Sequence, residues 1–390
     1  MKVIGLMSGT SGDGVDAVLV EIHGNGQALQ VKPLAFAPLP YSPALQRRIL
    51  AASTTGTVSE ICHLNALLGE VFARAALRVI KKAGLRPSDV HLIGSHGQTV
   101  HHLPKPIREP GLGDIRSTLQ IAEPAVIAER IGITTVADFR PRDLAAGGQG
   151  APLTPYAHHL LLRELKRSRL IVNLGGISNV TYLPAGGDLD SVRAFDTGPG
   201  NMVLDALAHR LTRGQQSMDR DGKMAAKGTV DAQLLALLLS HRFLQQRPPK
   251  STGREEFGEA FLARLLAMKR RQHLSANDLM ATCSLFTAMA VGMARRWLKG
   301  PVNEVIVGGG GVRNRTLMAD LAEVFAPIPV RTFEGLGWES KSFEAVAFAV
   351  LAYQTVHGEC ANVPAATGAK HAVILGTIVP GNQRWQGHLR

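Results

Sequence analysis

The sequence predicts an α/β protein built from two related lobes with a cleft between them. Three observations carry that expectation. Strand-like and helix-like apolar periodicities alternate along the chain, a strand–turn–strand outline occurs twice, and a glycine-rich turn follows an apolar strand at three well-separated places. The length agrees, because 390 residues exceed one ordinary domain and favour two or three.

Residues 2–7 and 15–22 are rich in branched side chains and flank a Gly/Ser/Thr turn, which reads as a hairpin. Ile61, Leu64, Leu68, Val71, Phe72, Ala75 and Val79 recur at helical spacing. That stretch closes on Lys81, Lys82, Ala83 and Gly84 ahead of Pro87, a helix with a C-terminal stop. Residues 90–93 and 134–137 are short buried strands that end in polar residues. The second strand–turn–strand unit, RLIVNLGGISNVTYL, covers 169–183. Helical patterns dominate 230–298, including an amphipathic helix over 257–268 whose basic run Lys269–Arg271 reads as its solvated end. A last strand at 304–307 enters four consecutive glycines and a helix carrying Leu317, Met318, Leu321 and Val324. Gly147, Gly148 and Gly150 lie between the two repeats and suit part of a hinge.

Composition narrows the class. Hydrophobic residues make up 45% and charged residues 19%, enough apolar material for real cores and too little charge for a disordered chain. Three widely spaced cysteines form no C-x-x-C and leave one over from any disulfide, which points to a reducing compartment. The N-terminus has no signal-peptide core, and the apolar stretches at 286–294 and 345–353 are too short to span a bilayer. A cytoplasmic location without membrane attachment is expected. The +12 net charge suggests nucleic acid at first sight, yet no helix-turn-helix or zinc-finger signature appears and only 5% of residues are aromatic. No nucleic-acid partner is expected.

GTSGDG at 9–14 fits the first half of a P-loop, but Val15 and Asp16 replace its Lys-Ser/Thr, and a strand follows where a helix should. The Walker A reading fails. A hairpin turn can still cradle phosphate through backbone N–H groups, with Thr10 and Ser11 adding hydroxyls and Asp13 and Asp16 suited to Mg²⁺. A plain hairpin turn accounts for the loop equally well. Gly308–Gly311 opens a helix after a strand, but Arg313 occupies the third glycine position of a dinucleotide fingerprint. Three such turns together favour a nucleotide site.

AFDTGPGN at 194–201 sets Asp196 after an apolar run beside a rigid turn. A carboxylate at a strand end facing a cleft can act as general base, and a turn cap is the plainer alternative. DFRPRD at 138–143 alternates charge, so Arg140 and Arg142 suit a carboxylate or phosphate, or else a surface ion-pair network. KSTGRE at 250–255 suits phosphates or a helix lead-in. His96, His101, His102, His158 and His159 accompany no zinc-binding pattern, and no bound metal is expected of them.

GLMSGTSGDGVDAVLVE, GSHGQT, ADFRPRDLAAGGQGAPLTP, NLGGISNVT, FDTGPGN, KSTGRE and VGGGGVRN occur in the order seen in anhydro-N-acetylmuramic acid kinases, across roughly residues 5–350. The chain resembles that family nearly throughout. The resemblance implies a two-lobed actin/hexokinase/Hsp70-like ATPase (ribonuclease H-like) fold with an active-site cleft between the lobes. It implies ATP and Mg²⁺ as cofactors, and a homodimer is left open. The implied lobes are 1–142, with phosphate loop and part of the sugar site, and 143–371, with the catalytic aspartate, second phosphate loop and adenosine site. Residues 372–390 are expected to return to the first lobe.

The implied reaction opens the 1,6-anhydro ring of the sugar with water and phosphorylates O6, giving N-acetylmuramic acid 6-phosphate and ADP in cell-wall recycling. The implied catalytic residues are Asp196, as base, and Glu344, in FEAVAFA, as a supporting group. Gly9, Thr10, Ser11, Gly12, Asp13, Gly14, Val15 and Asp16 match the phosphate loop. Gly175 and Gly176, with Gly309, Gly310 and Gly311, match second-phosphate and adenosine contacts. His96, Gln98, Asp138, Arg140 and Arg142 are implied on the sugar side, with Arg140 or Arg142 on the lactyl carboxylate. Three departures stand out: Gly12 where the family loop usually carries Leu, IAEP at 121–124 in place of a more usual glycine before the acid or amide, and a less acidic WESK at 338–341. A nucleotide-gated, chaperone-like ATPase on the same fold is the rival reading; the absence of an appended peptide-binding domain argues against it.

Overall fold

Residues 1–382 are described in the computed structural model of the chain. Twelve strands appear among them: β1 (Lys2–Ser8), β2 (Gly14–His23), β3 (Gln30–Pro40), β4 (Leu92–Glu109), β5 (Gly113–Ile121), β6 (Thr135–Ala137), β7 (Arg169–Leu174), β8 (Ile177–Leu183), β9 (Arg193–Pro199), β10 (Glu304–Gly308), β11 (Val330–Thr332) and β12 (Thr377–Val379). They fall into two sheets, one in each of two compact units. The first unit is Met1–Leu162 together with the chain from Ser342 onward; the second is Arg163–Lys341.

In the first unit the sheet order is β12-β6-β4-β1-β2-β3, with β5 on the far part of β4. β6, β4 and β1 run parallel, and β2 and β3 extend the sheet antiparallel. The expected hairpin is β1–β2, registered from Lys2 opposite Glu21 to Met7 opposite Asp16. The helix Val58–Lys82 lays Leu64, Leu68, Phe72, Ala75, Ala76 and Val79 on one face of the sheet, as its spacing requires. Thr57 caps its first turn by accepting from Glu60 N–H.

The other face is covered by the helix Phe343–Val356, buried along almost its whole length. Two strand glycines let it sit flush. A Cβ at Gly5 would fall 1.8 Å from the Ala345 carbonyl oxygen, and one at Gly94 2.2 Å from that of Phe348. Those contacts bind the helix to β1 and β4. The chain therefore divides at Leu162/Arg163 and Lys341/Ser342, later than residue 142 and earlier than residue 371. Gly147–Gly150 lies inside the first unit. β12 pairs antiparallel with β6, while residues 383–390 of the expected C-terminal return lie outside the described residues.

In the second unit the order is β11-β10-β7-β8-β9, with β11, β10 and β7 parallel and β8 and β9 antiparallel. The helices Ala276–Met293, Asn201–Leu211 and Arg315–Phe325 contribute Leu279, Cys283, Phe286, Leu204, Leu207, Leu317 and Leu321 to its core. Five strands in one order and one set of directions, β6-β4-β1-β2-β3 in the first unit and β11-β10-β7-β8-β9 in the second, give the ribonuclease H-like arrangement expected from sequence.

Candidate active site

The phosphate-loop candidate is the tip of the β1–β2 hairpin. Gly12 N–H donates to Gly9 O at 3.1 Å, and Gly12 has φ +58, a left-handed conformation open to glycine and strained for a side chain such as Leu. Ser11 Oγ donates to Asp13 Oδ1 at 2.9 Å on the exposed side. Gly9 has nothing within 3.9 Å of where a Cβ would stand, so packing does not require a glycine there. The loop is braced from beneath by Gln98, whose Oε1 accepts from Ser8 Oγ at 2.7 Å and whose Nε2 donates to Gly9 O at 3.1 Å. Buried there, Gln98 sits as a support of the loop.

GSHGQT is not a polar strand end. β4 runs through it to Glu109, because residues from Gln98 onward pair with β5. His96 is buried with both ring nitrogens engaged: Nδ1 faces Gly97 O at 2.9 Å, and Nε2 faces Arg140 Nη2 at 2.8 Å and Nε at 3.2 Å. Only the neutral Nδ1–H tautomer satisfies both. Burial and the neighbouring Arg140 hold the imidazole well below its usual range, as that tautomer demands. Arg140 also donates Nη1 to Gly150 O at 2.6 Å. Burial brings its guanidinium down to about 10, with Glu344 and Asp143 pulling the other way. Glu344, in the first turn of Phe343–Val356, thus acts electrostatically on Arg140.

A cavity of about 350 Å³ opens within this unit, lined by Ser95, His96, Gly97, Gln120, Glu123 and Asp138 among others. Ser95 Oγ is buried there without a protein partner, and burial raises the Asp138 carboxyl. Ala122 adopts φ 128 in the cavity wall, a conformation costly for any side chain. Arg142 stands apart, exposed on the short helix Pro141–Ala145, and neither arginine lines the cavity itself. Of the two arginines, the structure brings Arg140 to His96.

In the second unit the β7–β8 turn carries Gly175 and Gly176, whose carbonyls accept from Asn201 N–H (2.8 Å), Gly200 N–H (2.9 Å) and Met202 N–H (3.1 Å) at the start of Asn201–Leu211. Asn201 Nδ2 donates to Leu174 O at 2.9 Å. Gly309, at φ +83, and Gly311 abut Leu174, where a Cβ would clash at 2.7 and 2.5 Å. Gly175, Gly176 and Gly310 would meet nothing nearer than 3.4, 3.7 and 3.7 Å. The two glycine runs therefore converge, and three of their members keep open backbone.

Asp196 lies in mid-strand β9, opposite Asn179 of β8, and not at a strand end. Its Oδ2 accepts from Thr252 N–H at 2.8 Å, and no described residue bonds Oδ1. Burial pushes the carboxyl up to about 7; Thr252 N–H opposes the rise, Glu255 adds to it and Lys250 opposes it. KSTGRE thus folds over Asp196, with Asp196 N–H donating to Lys250 O at 3.1 Å. The Lys250 ammonium turns inward to Phe243 O at 3.0 Å and lies 4.5 Å from the Phe243 ring centre, and burial brings it down to about 8. In sequence the segment stood out by its mixed cation–hydroxyl composition and by its place among the motifs of the family resemblance.

Residues 1–381 match the family described as Anhydro-N-acetylmuramic acid kinase. The chain belongs to the anhydro-N-acetylmuramic acid kinase family. It is 49% identical over 381 residues to the anhydro-N-acetylmuramic acid kinase of Caldanaerobacter subterraneus subsp. tengcongensis, covering 96% of each chain. It is 46% identical to that of Salinibacter ruber, covering 97% of this chain and 96% of the relative. Among solved structures, component A of the (R)-2-hydroxyglutaryl-CoA dehydratase of Acidaminococcus fermentans aligns over 91% of this chain and 98% of its own, at 13% identity and TM-score 0.47. A likeness that loose says nothing about activity. Family membership makes the chain an enzyme, a sugar kinase of cell-wall recycling, and a kinase implies ATP. No helix among the described residues is long and apolar enough to cross a membrane.

Proposed function

We propose that the protein opens the 1,6-anhydro ring of anhydro-N-acetylmuramic acid with water and transfers the γ-phosphoryl group of ATP to the freed O6. The products are N-acetylmuramic acid 6-phosphate and ADP. The observation that carries this reading is Asp196: a half-buried carboxyl whose desolvation pushes it up to about 7, fixed through one oxygen by Thr252 N–H, with the other unbonded by any described residue. A general base works best with a pKa near the operating pH. Asp196 takes a proton from water as the water oxygen bonds to C1. The C1–O6 bond breaks and its electron pair stays on O6, which takes the phosphoryl group. Because O6 leaves as a phosphate ester, this step needs no separate carboxylic acid of the kind an inverting glycosidase supplies.

ATP supplies the phosphoryl group when bound. Gly9–Asp16, Gly175, Gly176 and Gly309–Gly311 are the residues that would hold it, and the bare backbone at Gly9, Gly175, Gly176 and Gly310 fits a phosphate chain. Asp13 and Asp16 are suited to Mg²⁺, directly or through water. Arg140 takes the lactyl carboxylate: its described bonds use three of its five N–H donors and leave two for a ligand. Glu344 supports the site through its charge on Arg140. Free thiols at the exposed Cys62 and Cys360 suit a reducing cytoplasm.

Incubation with ATP, Mg²⁺ and anhydro-N-acetylmuramic acid in ¹⁸O-water tests the reading. Label is expected at C1 of a 6-phosphate product. Phosphorylation without ring opening, or no product, overturns it.

A further inference from the structure

We propose that Asp143 is a positioning residue that fixes Arg140 against His96 through Gly150, with Asn362 and Thr367 completing the clamp. Asp143 is fully buried and is not among the residues that line the cavity. Its oxygens take three side-chain or loop donors, each at 2.8 Å: Gly150 N–H on Oδ2, and Asn362 Nδ2 and Thr367 Oγ1 on Oδ1. Gly150 is held from the other side as well, because its carbonyl accepts from Arg140 Nη1. Arg140 then reaches His96 Nε2, and His96 Nδ1–H closes on Gly97 O.

The loop between Asp143 and Gly150 is shaped for this. A Cβ at Gly148 would fall 2.2 Å from Asp143 Oδ2, so any side chain there would displace the carboxylate. Gly150 has φ +68, and a Cβ there would press on Leu144 at 3.1 Å and on Arg140 Cβ at 3.4 Å. Every partner of Asp143 is a donor, so an acceptor-only carboxylate satisfies all three, whereas an amide would turn an N–H₂ against one of them. Asn362 and Thr367 come from the segment that follows the helix Phe343–Val356. Asn362 is itself fixed, its Oδ1 accepting from Val373 N–H at 2.7 Å. The clamp thus ties the last part of the first unit to the arginine that faces the sugar. The inference rests on the reading of Arg140 as the carboxylate ligand.

The test compares wild type with Asp143→Asn, Thr367→Val and Thr367→Ser in two measurements. The first is the KM for anhydro-N-acetylmuramic acid and for its lactyl amide, with the KM for ATP alongside. Asp143→Asn is expected to raise the KM for the acid about tenfold, leave that for ATP within about twofold, and abolish the preference for acid over amide. Thr367→Val follows the same pattern more weakly, and Thr367→Ser restores wild-type behaviour. The second measurement is ¹⁵N NMR of the His96 ring from pH 5 to 8, which needs no turnover. Wild type should keep the Nδ1–H tautomer throughout, and Asp143→Asn should titrate. Joint rises in both KM values, or an unchanged His96 ring in Asp143→Asn, overturn the clamp. If Asp143→Asn does not fold, an unchanged ring and acid preference in Thr367→Val overturn it instead. A wild type that ignores the anhydro sugar while the ring behaves as expected sinks the functional reading and leaves the clamp standing.

Discussion

Asp196 combines a raised pKa with a single backbone donor, and both properties have measurable consequences. As the proposed base it must be ionised, so kcat/KM for the anhydro sugar should fall about tenfold per pH unit below pH 7 and level off above it. Asp196→Asn should lose about 10²–10⁴ in rate. The same burial predicts an opposite effect on stability. A carboxyl raised above its unfolded value favours folding less and less as pH climbs from the ordinary carboxylate range through about 7. Asp196→Asn removes that penalty while its amide oxygen can still accept from Thr252. It should melt above wild type at pH 8 and close to it at pH 4, and equal melting temperatures at pH 8 would contradict the assignment. Asp196 stands out in sequence by its place after an apolar run beside a rigid glycine-rich turn, where a turn cap explains it equally well without the match to the FDTGPGN motif. The inward turn of Lys250 was not legible, since nothing local shows a lysine burying its ammonium on the carbonyl and ring of Phe243.

At the scale of elements, local periodicity located what is closed locally. The β1–β2 and β7–β8 hairpins and the helix Val58–Lys82 stand where residue spacing put them, because their partners are adjacent in sequence or their apolar face is continuous. β4 escaped that logic. Only its first residues are buried strand, and its extension to Glu109 depends on pairing with β5, past Pro104 and Pro106, residues that disfavour a strand interior. Gly5 and Gly94 were equally silent, since a strand glycine announces a close neighbour without saying which. The neighbour is the helix Phe343–Val356, hundreds of residues away in sequence. Gly5→Val should push that helix off the sheet, because the nearest atom to a Cβ is backbone and cannot rotate aside. A loss of about 3 kcal/mol or more in urea unfolding is expected, beyond the usual range for overpacking. A stability change under 1 kcal/mol would show that the contact is not as close as the structure places it.

For the whole molecule, the repeated sheet order explains why the sequence echoed itself in outline without repeating residues: strand order and directions recur, while the residues of the turns differ. The two units differ in one respect that governs their independence. Arg163–Lys341 is a single run of chain, and the first unit is interrupted. A fragment spanning 163–341 should therefore fold, with one cooperative thermal transition, whereas a fragment ending at Leu162 should lack one because its sheet has lost the helix Phe343–Val356. Cooperative melting of the 1–162 fragment would count against that division.

The interruption also sets a timetable for synthesis on the ribosome. The apolar groove over Gly5 and Gly94 leaves the exit tunnel early, and its covering helix follows only after the entire second unit has been translated. At about 5–20 residues per second, the stretch from Gly94 to that helix takes roughly 12 to 50 s. Through that interval the nascent chain carries an exposed apolar sheet face beside a segment already able to fold, which makes this groove the place where a chaperone would find the growing polypeptide most vulnerable.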